Sequence, residues 1–327
     1  MVVVACAACS TNRGDAPPPT ISPARAADSP ATTAAPDGVV LPLTGPGRAG
    51  AFDESTQTLV VLGSDPSGRS VVTMVPSASS SMPARTVALP AAATALTVDD
   101  RGTAYVSARG GYFRVDVAGG TVTRLDVEGA GDTDFTAIAR RADGKIVLGS
   151  ADGAVYTLGS DTAVAARLQI FARVDALVAQ GNTVVVLDRG QTSVTTVDGS
   201  GTHADHALRA GDGATTIAAD SVGRVLVADT RGDELLVFGV DPLMLRQRYP
   251  VPGAPYGLTG SARLTWVSET ATNSVVGYDL ATGIPVEKVR HRTVRQPNSL
   301  AFDDATGTLY VVSGSGGGVQ VISGAAK

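Results

Sequence analysis

Residues 297–323 read PNSLAFDDATGTLYVVSGSGGGVQVIS, and this stretch decides the fold. Three short runs of β-forming residues, 299–302, 308–313 and 319–322, are separated by turns rich in Asp, Gly and Ser. The same three-run unit occurs six times earlier in the chain, and each earlier copy continues into a fourth run. The last copy therefore lacks one strand. The first orderly segment of the chain, 38–43, is a strand without a unit of its own.

Working outward, the copies align on the apolar residue at the centre of their first run. They begin AGAFDESTQTLVVLG at Ala49, ATALTVDDRGTAYVSA at Ala93, FTAIARRADGKIVLGS at Phe135 and VDALVAQGNTVVVLD at Val174. They continue with ATTIAADSVGRVLVAD at Ala214, PYGLTGSARLTWVSE at Pro255 and PNSLAFDDATGTLYVVS at Pro297. The anchors are Gly50, Leu96, Ile138, Leu177, Ile217, Leu258 and Leu300, a period of about 40 residues made of four short strands, which is the signature of a β-propeller blade. Within each copy the second run is the most apolar, as expected of a strand covered on both faces. Turns such as Asp143-Gly144 join it to the first.

Several fourth runs carry proline: 86–90, 248–252 and the N-terminal 39–43. Proline cannot donate to a ladder and belongs on an edge, which is where the fourth strand of a blade lies. The alternation of Val39, Leu41 and Leu43 is expected to bury one face of a strand that completes the last blade. The fold expected is thus all-β: a seven-bladed β-propeller with four-stranded blades over 38–324, its last blade closed by the N-terminal strand.

On these residues the chain resembles two related propeller families. LYVVSGSGGGVQVIS and RLTWVSETATNSVVGYDLATG are similar to YVTN-type repeats, and RVLVADTRGDELLVF to an NHL-type repeat. The resemblance covers roughly 38–324 and is specific for architecture but not for activity, because these families include scaffolds, ligand binders and a few enzymes.

Composition narrows the function. With 43% hydrophobic and only 4% aromatic residues, the core is built from Val, Ala, Leu and Ile, and 38 glycines suit a turn-rich β protein. A net charge of −5 gives no general attraction to nucleic acid. The Ala- and Arg-rich, Lys-poor usage resembles that of a GC-rich, actinobacterial-like genome. There is no apolar run of about 18 residues or more, the length a membrane helix needs.

Both cysteines, Cys6 and Cys9, lie near the start, so the repeats hold neither a disulfide nor a thiolate. The opening MVVVACAACS resembles a bacterial lipobox, with Ala7, Ala8 and Ser10 around an acylated Cys9. This makes 1–9 the remnant of a lipoprotein signal peptide whose charged start lies upstream. Residues 10–37, rich in Pro, Ala, Ser and Thr, read as a disordered tether. The layout implies an extracytoplasmic protein held to the cell membrane or envelope by lipid alone, and a monomer is expected.

Candidate site residues follow from the alignment. Two residues before each anchor lies a ring of Arg48, Thr94, Thr136, Asp175, Thr215, Tyr256 and Asn298, placed at the mouth of the central channel. A second ring after the second strands includes Ser150, Asp188, Asp229, Ser268 and Ser313, with Arg109, Arg189 and Glu269 one residue further. As a site these hold a small polar ligand or peptide; as plain structure they are a water-filled mouth.

Metal and cofactor chemistry find little support: one carboxylate and one amide on the inner ring, no histidine on either ring, and Trp266 as the only tryptophan. No metal, cofactor or catalytic residue is expected. His203 and His206 read as a solvated loop. The basic run Lys288, Arg290, His291 and Arg292 reads as a charged edge that discourages aggregation. The sequence favours a ligand-binding or protein-interaction scaffold, its partner an envelope protein or a small polar ligand. A lactonase-like hydrolase or lyase at the channel mouth is the alternative.

Overall fold

The computed structural model describes residues 19–77, 83–99 and 101–327. The strands group into seven antiparallel sheets of four, and among the described residues there is no helix. Six blades are contiguous in sequence: 47–88, 93–126, 135–169, 176–209, 214–250 and 255–292. The seventh is made of Pro297–Asp303, Thr308–Ser313 and Val319–Ile322, with Val39–Leu41 from the other end of the chain as its outer strand.

What holds the ring is burial between neighbouring blades. Second strands such as Leu59, Val60, Val61 and Leu62 are at most 1% exposed, because one face packs on the preceding blade and the other on the following one. The apolar core accordingly divides into seven clusters, each drawn from two adjacent blades. The last of them joins Tyr310, Val312 and Val319 of blade seven to Leu59, Val61 and Val75 of blade one. Phe52 stacks on Tyr310 there, with ring centroids 5.4 Å apart.

In several blades the first and second strands are joined by aspartate-clasped turns. Asp220 accepts the amides of Val222 and Arg224, and Asp53 and Asp303 do the same for Ser55 and Ala305. The carboxylate supplies the hydrogen bonds a reversing backbone cannot make to itself. Gly102 and Gly144, at φ 79° and 87°, take the left-handed position of two such turns.

The latch is an antiparallel ladder pairing Val39 with Val321, Val40 with Gln320 and Leu41 with Val319. Its expected apolar face is not there in full. Val39 is 62% exposed, and only Leu41 and Leu43 pack, partly buried, on the cluster between blades seven and one. Outer strands lie at the periphery, and those of the other blades are mostly exposed too. Backbone pairing, not side-chain burial, holds this strand. The prolines divide: the outer strands run Arg85–Ala88, Leu243–Pro250 and Val39–Leu41, so Pro90, Pro252 and Pro42 lie beyond strand ends, while Pro250 is the last residue of its outer strand, opposite Glu234.

Beneath the latch sits Gln320, fully buried. Its amide nitrogen donates to the carbonyls of Asp37 (2.7 Å) and Arg292 (2.8 Å), and its oxygen accepts the amide of Val294 at 3.0 Å. Asp37 in turn pairs with the guanidinium of Arg292 at 2.8 Å. His291, expected on a charged edge, is tucked inward. It lies over Trp266 at 6.2 Å between centroids, and its Nε2 is 2.8 Å from the carbonyl of Ala325. His206 belongs to an outer strand, Ala204–Arg209, rather than to a loop, and His203 precedes it, its Nδ1 2.7 Å from Thr202 Oγ1.

Residues 19–37 depart from the free tether read in the sequence; Cys6, Cys9 and the lipobox lie outside the described residues. This strap has no regular secondary structure but is seated on the ring by its main chain. Ile21 donates to the carbonyl of Gly190 at 2.7 Å, and Arg231 donates to the carbonyl of Ser22 at 2.6 Å. Ser29 Oγ donates to the carbonyl of Thr270 at 2.7 Å. Contacts made by backbone leave no apolar period in the sequence, so composition alone cannot reveal them.

Candidate functional site: the channel mouth

Each first strand starts at the same face of the ring, so equivalent residues of all blades converge on the axis. The channel is a cavity of about 610 Å³. Arg48, Thr94, Thr136, Asp175, Thr215, Tyr256 and Asn298 all line it, and small aliphatic side chains such as Ala95, Leu96, Ile138, Leu177 and Ile217 form the wall behind them.

The ring divides by what its polar atoms do. Thr94 Oγ1 donates to the carbonyl of Phe135 at 2.6 Å and Thr136 Oγ1 to that of Val174 at 2.5 Å, each reaching the next blade. Thr216 reaches the carbonyl of Tyr256 in the same way, and Ser268 that of Pro297 at 2.5 Å. These hydroxyls are stitches between blades. Thr215 is held by Thr230 Oγ1 at 2.6 Å.

Of the two rings, what remains to meet a ligand is Arg48, Asp175, Tyr256, Asn298 and Arg189, a residue of the second ring that also lines the channel; Arg140, at the far end of its first strand, lines it as well. Arg48 is exposed and reaches the carbonyl of Ala93 with one nitrogen. Arg48, Tyr256 and Asn298 also border a recess of about 320 Å³ with Pro46, Gly63 and Gly314, so they stand between two open spaces.

Asp175 is the acidic member. Oδ2 accepts the amide of Arg189 at 2.8 Å, and Oδ1 lies 3.2 Å from Arg173 Nε. Burial pushes its carboxyl above the usual carboxylate range, against the Arg189 amide and the charges of Arg189 and Arg173. Arg189 donates through Nη2 to the carbonyl of Ala24 in the strap. Its Nε is buried without a hydrogen-bond partner among the described residues.

Asp188 and Asp229, expected near the ligand, do not line the channel. Asp188 accepts the amides of Ala172, Arg173 and Gln191, and Asp229 those of Asp212, Gly213 and Gly232. Both are essentially fully buried and tie the loop entering a blade to its own second strand. Glu269 is likewise committed, to Arg290 at 2.6 Å and Ser274 at 2.8 Å. Arg109 pairs with Asp132 and Asp134. Among the described residues no group of His, Cys, Asp and Glu is arranged to hold a metal ion.

With this geometry in view, solved structures supply a comparison. A streptogramin B lyase structure shares 11% identity at a TM-score of 0.63, covering 88% of this chain and 96% of that one. Virginiamycin B lyase from Staphylococcus aureus shares 11% identity at a TM-score of 0.69, over 86% of this chain and 97% of that one. A chain of Kuenenia stuttgartiensis hydrazine synthase shares 16% identity at a TM-score of 0.69, over 88% and 98%. The fold is shared. At such identities the likeness says nothing of chemistry. No family model and no curated protein sequence matches the chain.

Proposed function

We propose that this protein is an extracytoplasmic, lipid-anchored propeller of the YVTN/NHL kind. It acts as a ligand-binding or protein-interaction scaffold that takes a small polar ligand at the channel mouth. The observation that carries the reading is the convergence of Arg48, Asp175, Arg189, Tyr256 and Asn298 on one cavity of about 610 Å³. That volume suits a metabolite-sized ligand. Two guanidiniums, a carboxyl, a phenol and an amide, with the Arg140 guanidinium further along the same aliphatic-walled cavity, favour a ligand with an anionic or zwitterionic head and an apolar body. The lipobox-like Ala7-Ala8-Cys9-Ser10 supports anchoring.

Titration calorimetry of the protein against amino acids, short peptides and organic acids tests the ligand reading. A hit whose affinity falls at least about tenfold in Arg48→Ala and in Asn298→Ala supports it; a hit indifferent to both places the ligand elsewhere. Membrane fractionation of Cys9→Ala, made with the native start restored, tests anchoring, since the variant should move to the medium.

A second reading draws on the two lyases of the same fold and on Asp175. A carboxyl whose affinity for protons is raised by burial is a candidate general acid or base. Turnover of a lactone or ester panel that disappears in Asp175→Ala while binding persists would favour that reading over the scaffold.

A further inference from the structure

The strap makes a second surface beside the channel, sharing Arg189 with it. Between residues 20 and 31 it runs over the loops of blades four to seven on the mouth face. Its partners there come from each of these blades: Gly190 and Arg189, Arg231, Thr270 and Asn273, and Arg295 and Gln296.

Nearly all these bonds are to strap main chain. The carbonyls of Ser22, Ala24, Ser29 and Pro30 accept from Arg231, Arg189, Arg295 and Asn273. The amides of Ala27 and Ser29 donate to Thr270 Oγ1 and Gln296 Oε1. Main-chain recognition of this kind is indifferent to most side chains and demands an extended backbone, which the prolines at 23 and 30 pre-form. Side chains are read at only two places. Ala24 is seated over Gly213, where an added Cβ would stand 2.9 Å from that of Ala24. Ser29 fits a pocket in which its hydroxyl both donates to Thr270 and accepts the amide of Gln296 at 2.8 Å.

The seat is shallow. Of residues 19–31 only Ala24 and Ser29 are buried, so little apolar area holds the strap. Each hydrogen bond contributes only about 0.5–1.5 kcal/mol net, against about 1–2 kcal/mol to order each residue. The segment is therefore poised to exchange. The start of the strap, Pro19, Thr20 and Ile21, lines a groove of about 590 Å³ together with Ile170, Phe171 and Leu208.

We propose that this face is a recognition track for an extended Pro-, Ala- and Ser-rich segment of a partner protein, and that residues 20–31 are its built-in, exchangeable occupant. The track names a partner chemistry without depending on the channel ligand, and each can fail alone.

The test uses the full chain and a fluorescent peptide of residues 19–31, read by anisotropy, with hydrogen exchange reporting the strap amides. In the double variant Ala24→Glu, Ser29→Ala, with both substitutions in the strap and none on the track, the amides of residues 27 and 29 should exchange faster than in the unaltered protein. The peptide should bind it at least about tenfold tighter, because the competing occupant is loosened. Adding Arg231→Ala and Asn273→Ala should remove that binding, and a scrambled peptide should not show it. Equal affinity for the unaltered and loosened proteins overturns the proposal. So does a strap whose amides in the double variant exchange only with global unfolding, since the segment is then an integral part of the fold.

Discussion

At the scale of single residues, Asp175 and Gln320 show how far residue type alone informs. The seven inner-ring positions were legible because a propeller repeats its register, so one alignment places all of them. Which of them are free for a ligand was not legible. A threonine that bonds the next blade and one that faces an open channel look the same in sequence. Asp188 and Asp229 were misplaced for a related reason: a carboxylate beside a loop can turn toward solvent or spend both oxygens on backbone amides, and only geometry decides. Gln320 gave no signal at all, since a glutamine in an alternating strand reads as an outward-facing residue.

Asp175 carries a pH prediction. Its folded carboxyl binds protons more tightly than the ordinary value of 3.8, so stability falls as pH rises from that value through the raised one, and the charged form is a standing cost at neutral pH. Asp175→Asn keeps an acceptor for Arg189 and removes the charge. It is expected to melt at a higher temperature than the unaltered protein at pH 7 and to lose that advantage at pH 4. A lower melting temperature at pH 7 would mean the pair with Arg173 outweighs desolvation. Gln320→Ala strands the carbonyl of Asp37 and the amide of Val294 and takes one of two donors from the carbonyl of Arg292, which keeps the amide of Asp37; it should cost on the order of 2–4 kcal/mol by denaturant unfolding.

At the scale of elements the latch is the informative case. That a strand from 38–43 would complete blade seven could be read from a missing fourth run and an orphan strand. The reason it stays in place could not, because alternation of Val39, Leu41 and Leu43 suggests burial that the periphery of the ring does not offer. Backbone geometry carries the joint instead. Gly38 has φ 77°, and a Cβ there would meet the carbonyl oxygen of Val321 at 2.2 Å. Gly38→Val should therefore destabilise by at least about 2 kcal/mol, whereas Val39→Thr, on an exposed position, should change stability by less than about 0.5 kcal/mol. The same joint has an acid-sensitive clasp. Burial opposes ionisation of Asp37, but the hydrogen bonds and charge of Arg292 outweigh it and hold the carboxyl below its ordinary 3.8. The stabilisation is complete above that value and is lost as pH falls through the folded one. The pair is largely exposed, so its worth is at most about 1 kcal/mol. Thermal melts between pH 6 and pH 2.5 should show a steeper loss in the unaltered protein than in Asp37→Asn.

At the scale of the whole molecule, the seven inter-blade clusters form a closed circuit, and closure passes through one place, where Tyr310, Val312 and Val319 meet Leu59, Val61 and Val75. No blade has a core of its own, so a blade cannot unfold without stripping one face from each neighbour; this argues for a single cooperative transition despite the repeat. Removing residues 38–43 attacks the circuit without touching any second strand. It exposes the edge of Val319–Ile322, an apolar strand with unpaired amides and carbonyls, which is a template for another chain. It also frees the strap, whose course depends on the latch at its end. The shortened protein should melt earlier, over a broader range, and elute as oligomers in gel filtration. A variant lacking only residues 10–18 should elute as the unaltered protein does, with an unchanged melting temperature. If the 38–43 deletion instead elutes as the unaltered protein does and melts in one sharp transition at the original temperature, the clusters close the ring without the latch, and the N-terminal strand serves only to carry the strap to its seat.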